Sequence, residues 1–279
     1  MRKGLCLGLC LSLELLLCAC TGVNLESNST SLPTCEILPT ESVIEDTTAA
    51  ATIEVPEITT GETETTAPAH SALYHPEYTS QQVWEYFEEV VLRTEYSDGT
   101  GNAALVQKWN EPILYSIYGT PTEEDLSVLT ALFAQLNEIP GFPGIYARAE
   151  GEPGNLMIGF WDSENFNKYF LEFLNGEDAY GATQYWYYNG TNEIYTANVG
   201  YRTDIDQSTR TSVLIEEIIN MLGVSDTVLR TDSIVYQYSN DNTALSDMDW
   251  LILKLLYHPA IQCGMDFDGC RTVIEELYY

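Results

Sequence analysis

The stretch that most constrains this fold is residues 211–224, TSVLIEEIINMLGV, which is apolar on nearly every side. Its apolar positions have helical spacing, and Gly223 is a common helix terminator. Because a helix that is apolar all round is usually buried, the sequence predicts that this segment lies at the centre of a domain. It also carries Glu216, Glu217 and Asn220, polar groups that need partners when they are buried.

These three polar residues have a spacing used in catalysis. Residues 216 and 220 share one helix face, and Glu217 lies about 100° round the axis. In the H-E-x-x-H helix of zinc peptidases, the first and fifth residues bind metal and the second is the general base. Here the pattern reads E-E-x-x-N, so Glu217 fills the catalytic base position, and Glu216 and Asn220 fill degenerate metal-ligand positions.

The donor set argues against a metal. A carboxylate and an amide oxygen suit Ca²⁺ or Mg²⁺ better than Zn²⁺, and two ligands do not make a site for either ion. We therefore expect no metal and no cofactor. Two alternatives remain for the glutamates, namely a solvated helix edge or a buried network with the nearby arginines Arg202, Arg210 and Arg230.

The N-terminus has the features of a signal peptide that does not belong to the fold. Arg2 and Lys3 precede an apolar run, which ends in Leu17-Cys18-Ala19-Cys20. That ending resembles the bacterial lipobox, which implies removal of residues 1–19 and attachment of a lipid to Cys20. We therefore expect a bacterial cell-surface protein anchored to the outer face of the cytoplasmic membrane. The alternative is an ordinary signal peptide, with Cys20 a chance thiol.

Residues 20–70 are predicted to be a disordered acidic tether. This Ser/Thr/Glu/Pro-rich segment contains no Lys, no Arg and no aromatic residue, so it cannot bury enough apolar surface to fold. The formal net charge of the whole chain is -31. Such a charge argues against nucleic acid as a partner.

Residues 71–279 are predicted to form one α+β domain. Aromatic residues are frequent from this point onward, and helical patterns occur at 79–93, 122–137, 164–174 and 246–257. Strand patterns occur at 112–118, 145–149 and 155–161. Asn189-Gly190 between two aromatic segments is a strong hairpin signal. The order predicts a mixed sheet with a buried central helix.

Cysteines and aromatic residues suggest two further features. Cys263 and Cys270 bracket a short Gly/Asp loop, which in an exported protein favours a disulfide over a pair of metal thiolates, and Cys35 is left without a predicted partner. The hairpin aromatics either form a stacking platform for a carbohydrate or peptide, or alternate between the two faces of a sheet. They are Tyr185, Trp186, Tyr187, Tyr188 and Tyr195.

Four motifs carry a resemblance to a known family. They are Lys108-Trp109; Glu216-Glu217-x-x-Asn220-x-Leu222-Gly223; Ser233-Ile234; and Leu245-Ser246 with Asp249, leading to Leu256-Tyr257-x-Pro259 and Gly264-Met265. On these motifs, residues 80–265 resemble the bacterial family catalogued as domain of unknown function 2927, which is similar to the zincin metallopeptidases. The resemblance implies a zincin-like domain. The family typically has glutamine at the position of Asn220, an acidic residue at His258, arginine at Ala260 and proline at Cys263.

Together these observations predict a lipid-anchored protein whose metal-free, non-catalytic domain acts in binding or envelope organisation. The membrane is the expected partner through the lipid on Cys20, and peptide and glycan are the expected ligand classes. One alternative is a peptide or cell-wall hydrolase with Glu217 as general base. Another is a solute-binding lipoprotein. The sequence leaves the oligomeric state open.

Overall fold

The computed structural model describes residues 5–9, 71–93, 105–170 and 179–278. All of them belong to one compact unit, Met1–Ser12 with His70–Tyr279, and the second unit is Leu13–Ala69. The predicted tether, Cys20 and Cys35 lie outside the described residues. No helix in the described ranges is long and apolar enough to cross a membrane.

The described residues contain six helices, which begin mainly at side-chain caps. Thr79, Thr122 and Ser246 each form a capping box with the residue three positions later, which satisfies backbone N–H groups that have no partner inside the helix. The helices are α1 (Ser80–Val91), α2 (Glu123–Leu136), α3 (Ser163–Phe170), α4 (Gln207–Asn220), α5 (Asp247–Leu256) and α6 (Phe267–Leu277).

Within the described part of the chain, seven strands form one mixed sheet. Its order is β1-β6-β7-β5-β3-β4, and β2 also pairs with β7. They are β1 (Leu5–Leu9), β2 (Lys108–Trp109), β3 (Ile113–Gly119), β4 (Ile145–Ala147), β5 (Leu156–Trp161), β6 (Gly181–Tyr187) and β7 (Glu193–Arg202). The β6–β7 pair is the predicted hairpin and is antiparallel, whereas the other described pairs are parallel.

Helix α4 is the predicted buried central helix. Every residue from 212 to 224 is buried, and the helix packs against α2, β6 and β7. Its N-cap is Asp206, and the chain turns at Gly223 with φ +96°. A Cβ at Gly223 would lie 2.0 Å from the carbonyl oxygen of Gln107, so this crossing requires glycine.

Two parts of the fold differ from the sequence expectation. Leu5–Leu9, inside the predicted signal peptide, forms β1 and is part of the sheet. Its backbone pairs with the edge of β6, which otherwise presents unpaired N–H and C=O groups. The second difference is α6, which begins inside the loop that we expected between Cys263 and Cys270.

Candidate functional site

The three polar residues of α4 lie deep inside the domain. The exposed fraction of Glu216, Glu217 and Asn220 is 0% for each residue, so the glutamates do not form a solvated helix edge. Ionised carboxylates in such surroundings require compensating polar or charged groups. The side-chain amide of Asn220 donates to Asp226 Oδ1 at 3.1 Å.

Glu217 lies beneath the first residue of β6. A Cβ on Gly181 would lie 2.7 Å from Glu217 Oε1 and 2.4 Å from Val213 Cγ1, so a larger residue at this position displaces α4 side chains. Two positions along the strand, the Thr183 hydroxyl donates to the backbone oxygen of Glu217 at 2.8 Å. Strand β6 therefore packs directly against Glu217, the residue at the predicted base position.

Tyr201 lies close to the same carboxylate from β7. Its hydroxyl donates to the backbone oxygen of Leu214 at 2.9 Å. Burial raises the pKa of Tyr201 well above its usual value, and the charges of Glu217 and Asp125 raise it further. The phenol therefore stays protonated beside the acidic helix.

All three arginines proposed as partners of the glutamates pair with aspartates. Arg210 pairs with Asp125 in a buried ion pair, and Arg230 pairs with Asp232. Arg202 contacts Asp204 at 3.0 Å. The proposed Glu–Arg network is therefore wrong for Arg210 and Arg230, because aspartates from α2 and from the following loop reach those guanidinium groups.

The described residues contain no group of three or more His, Cys, Asp or Glu side chains that could hold a metal ion. His258 lies after α5, where its Nδ1 accepts from the backbone N–H of Ala260 at 3.2 Å. That ring therefore has a local role in the turn after α5.

The outer edge of β6 is defined by the hairpin ladder. The backbone N–H of Arg202 donates to the carbonyl oxygen of Tyr180 at 2.8 Å. Because backbone groups alternate in an antiparallel pair, the N–H groups of Thr183 and Tyr185 point away from β7. Strand β1 occupies that side and runs parallel to β6, with Leu5 beside Ala182 and Leu9 beside Trp186.

The side chains of the Lys108-Trp109 motif donate hydrogen bonds to backbone carbonyl groups at the ends of two helices. Lys108 Nζ donates to the carbonyl oxygens of Leu256 at 2.9 Å and Ile261 at 2.6 Å. Trp109 Nε1 donates to the carbonyl oxygen of Met221 at 2.8 Å. Burial lowers the pKa of Lys108. These contacts give the motif a structural role at the ends of α4 and α5.

A buried polar cluster joins α1, the 225–245 loop and α5. The hydroxyl of Tyr86 donates to Asp249 Oδ1 at 2.8 Å, and that of Ser233 donates to the same oxygen at 2.7 Å. Asp249 Oδ2 accepts from the backbone N–H of Ile234 at 3.1 Å. The sequence alone carries no signal that joins these residues, although Ser233 and Asp249 both belong to the motifs quoted above.

The predicted disulfide is not formed. Cys263 and Cys270 are both free thiols. Cys263 Sγ donates to the backbone oxygen of Lys108 at 3.5 Å, and Cys270 is buried in α6. The expected loop contains the first turn of α6 instead, with Asp266 as its N-cap. Burial raises the pKa of Cys270 to about 12.

The hairpin aromatics divide between the core and the surface. Tyr185 is buried, and its hydroxyl donates to Gln107 Oε1 at 3.0 Å. Tyr188 and Tyr195 are 54% and 38% exposed, and their rings stack with centroids 4.5 Å apart. One ring is therefore packed inside, and one stacked pair lies on the surface.

Comparison with known proteins identifies a family. A family model described as "Protein of unknown function (DUF2927)" matches residues 80–276. No curated protein matches the chain. The matched range begins at the first residue of α1 and ends within α6.

Proposed function

The chain belongs to the DUF2927 family, and we propose that its folded domain binds an extended peptide along the outer edge of β6, the edge with which β1 pairs in this structure. The domain is zincin-like in this proposal, with Glu217 at the base position beneath the edge strand. It works without metal and without catalysis. The observation that carries the proposal is the pairing of Leu5–Leu9 with β6.

That pairing supports peptide binding because it is made by backbone groups. Adding a strand to an open sheet edge is a general way to bind extended peptides, and main-chain hydrogen bonds supply much of the affinity. The register runs without a shift from Leu5 beside Ala182 to Leu9 beside Trp186. The edge therefore suits a regular extended segment.

Processing would make this edge available. In our proposal, residues 1–19 are removed and Cys20 receives a lipid, so the mature protein lacks β1 and exposes β6. The acidic segment 20–70 then holds the domain away from the outer face of the cytoplasmic membrane. A lipid-anchored domain with an open strand edge fits a role in binding envelope peptides.

The absence of imidazoles at the ligand positions favours binding over hydrolysis. Glu216 and Asn220 stand where a zinc peptidase has histidines, and a carboxylate with an amide oxygen suits Ca²⁺ or Mg²⁺ better than Zn²⁺. One observation favours the hydrolytic alternative: Glu217 Oε1 lies close to the start of the edge strand, beneath Gly181. A general base at that position would be near a bound peptide.

Hydrogen exchange tests the proposal on the chain without its first nineteen residues. The probe is a synthetic peptide of residues 4–10 with both cysteines replaced by serine. We expect saturating peptide to slow amide exchange at Thr183 and Tyr185 by roughly ten-fold or more, because their N–H groups gain partners. Ala182 and Gln184 are internal controls, since their N–H groups already face β7.

Two N-methylated peptides test whether binding depends on backbone hydrogen bonds to β6. Each carries methyl groups on alternate backbone nitrogens, so only one version loses the donors that face β6. Equal binding of both versions, or unchanged exchange at Thr183 and Tyr185, contradicts the proposal. Mass spectrometry of the recovered peptide should show it intact. Cleavage that disappears in Glu217→Gln would instead establish the hydrolase.

A further inference from the structure

A polar cleft lies on the sheet face opposite α4. In β5, Leu156 and Ile158 belong to the main core, so the alternation of side chains places Met157 on the other face. The strand register puts Ser116, Met157 and Asn198 side by side on three neighbouring strands. Together with Tyr118, Arg148 and Thr196, they line a cleft of about 210 Å³.

Ser116 and Asn198 offer polar groups to this cleft. Both side chains are half-buried, and neither forms a side-chain hydrogen bond with another residue in the described part of the chain. A half-buried amide and hydroxyl with free donors and acceptors can orient a ligand, as the few polar groups of small-molecule sites do.

The cleft floor is held rigid by its own hydrogen bonds. Asn155 Oδ1 accepts from the backbone N–H of Leu114 at 2.6 Å, and its Nδ2 donates to the carbonyl oxygen of Pro112 at 3.0 Å. The Thr196 hydroxyl donates to the backbone oxygen of Asn155 at 3.0 Å. A site that is ordered before binding loses less entropy when a ligand arrives.

A glycine keeps the cleft open beside Ser116. A Cβ on Gly154 would lie 2.9 Å from the carbonyl oxygen of Leu114 and 3.2 Å from Ser116 Oγ. The flat ring of Tyr118 is 48% exposed at the rim. The cleft therefore combines an apolar ring surface with hydroxyl and amide groups.

The charges of the lining select a neutral ligand. Arg148 and Glu152 are the charged residues that line the cleft, and their charges cancel. The whole chain carries a formal charge of -31, which repels anions. The volume is smaller than the range of about 300–1,000 Å³ that drug-sized ligands occupy. A single small polar ring fits this size better than a large apolar molecule.

From these observations we infer that the cleft between Ser116, Asn198 and Tyr118 binds one ring of a neutral saccharide. The hydroxyl and amide groups bond the sugar hydroxyls, and the Tyr118 ring packs against its C–H face. The site lies on the opposite sheet face from Glu217, so it is independent of peptide binding at β6.

Calorimetry and amide-resolved NMR on the full chain test this inference with triacetylchitotriose and cellotriose as probes. We expect at least one probe to bind at concentrations up to about 10 mM and to shift the Asn198 side-chain amide signals. Asn198→Ala and Tyr118→Ala should each weaken binding by about five-fold or more, the usual effect of losing one net interaction.

Tyr238→Ala is the matched control for Tyr118→Ala, because Tyr238 is 69% exposed and does not line the cleft. Its binding should equal that of the unmodified protein. The inference is overturned if neither saccharide binds, or if binding survives both cleft substitutions. Because Tyr118 lies at the surface, Tyr118→Ala keeps the test valid even if Asn198→Ala unfolds the domain. Comparing the two probes shows whether an acetamido group is required.

Discussion

At the scale of single residues, the absence of a side chain at Gly181 allows β6 to pack closely against α4. A methyl group there would approach Val213 Cγ1 to 2.4 Å and Glu217 Oε1 to 2.7 Å, both in the buried interface with α4. We predict that Gly181→Ala lowers the free energy of unfolding by about 1–3 kcal/mol, the usual cost of overpacking a core. Urea unfolding measures the difference.

Gly190 provides the control for that substitution. It lies in the hairpin turn, and a Cβ there would meet no atom within 4 Å. Gly190→Ala should change the free energy of unfolding by no more than about 0.5 kcal/mol. An equal effect at both glycines would show that the contact with Glu217 and Val213 is unimportant.

The sequence favours burial of the helix that carries the acidic residues but does not show what surrounds them. The apolar residues on both sides of Glu216 and Glu217 predicted burial, because a helix with no polar face has to be covered on all sides. The same pattern could not predict which residue pairs with Arg210. Asp125 lies 85 residues earlier, on α2, and only the packing of α2 against α4 brings the pair together.

At the scale of elements, Asp249 ties three segments together. Its carboxylate accepts from Tyr86 and Ser233 and also from the backbone N–H of Ser246 at 2.9 Å. We predict that Asp249→Ala lowers the free energy of unfolding by about 3 kcal/mol or more, because it leaves several buried donors without an acceptor. Chemical denaturation monitored by circular dichroism gives the value.

The first residue of the same helix supplies the control. The Asp247 side chain is 73% exposed and lies 3.8 Å from His75 Nε2. Asp247→Ala should cost at most about 1 kcal/mol, as expected for one exposed charge near a helix N-terminus. Two double-mutant cycles on the free energy of unfolding combine Tyr86→Phe with Asp249→Ala and with Asp247→Ala. The first should show a coupling energy, and the second should show none. Additive effects of Tyr86→Phe and Asp249→Ala would contradict the proposed cluster.

The sequence predicted elements that begin at a capping residue or a turn. It did not predict the strand pairs between segments that are far apart in the chain. Thr79, Thr122 and Ser246 fixed three helix starts, and Asn189-Gly190 fixed the hairpin. The pairing of β5 with β3 and β7 joins segments far apart in sequence, so the mostly parallel sheet had no local signal. Helix α6 was missed because Gly269 and two cysteines suggested a loop, although Asp266 is a suitable N-cap.

At the scale of the whole molecule, buried tyrosines make stability depend on alkaline pH. Burial raises the pKa of Tyr86 and of Tyr201 well above the usual value, and it raises that of Tyr257 as well. Below pH values near 10, both the folded and the unfolded chain keep these protons. Above that pH, the unfolded chain releases them while the folded chain does not, so the free energy of unfolding falls as pH rises.

Other groups adjust the size of this effect without changing its sign. The pKa of Cys263 and that of Cys270 are also raised by burial, so their contribution to stability falls above pH values near 9. Lys108 acts in the opposite direction, because its lowered pKa makes the folded chain release a proton before the unfolded chain does. Burial also raises the pKa of Tyr78 and of Tyr278. One amine therefore opposes five phenols and two thiols, so the decline dominates.

We therefore predict a steep loss of stability between about pH 10 and pH 12, with each of the three buried phenols contributing roughly 1.4 kcal/mol per pH unit. Urea unfolding across this range measures the slope, and tyrosine absorbance should show the buried phenols ionising only as the protein unfolds. Tyr201→Phe should reduce the slope by one phenol's contribution, whereas Tyr238→Phe, at a residue 69% exposed, should leave it unchanged. If Tyr201→Phe has the slope of the unmodified protein, the buried phenol beside Glu217 does not hold its proton in the way the structure requires.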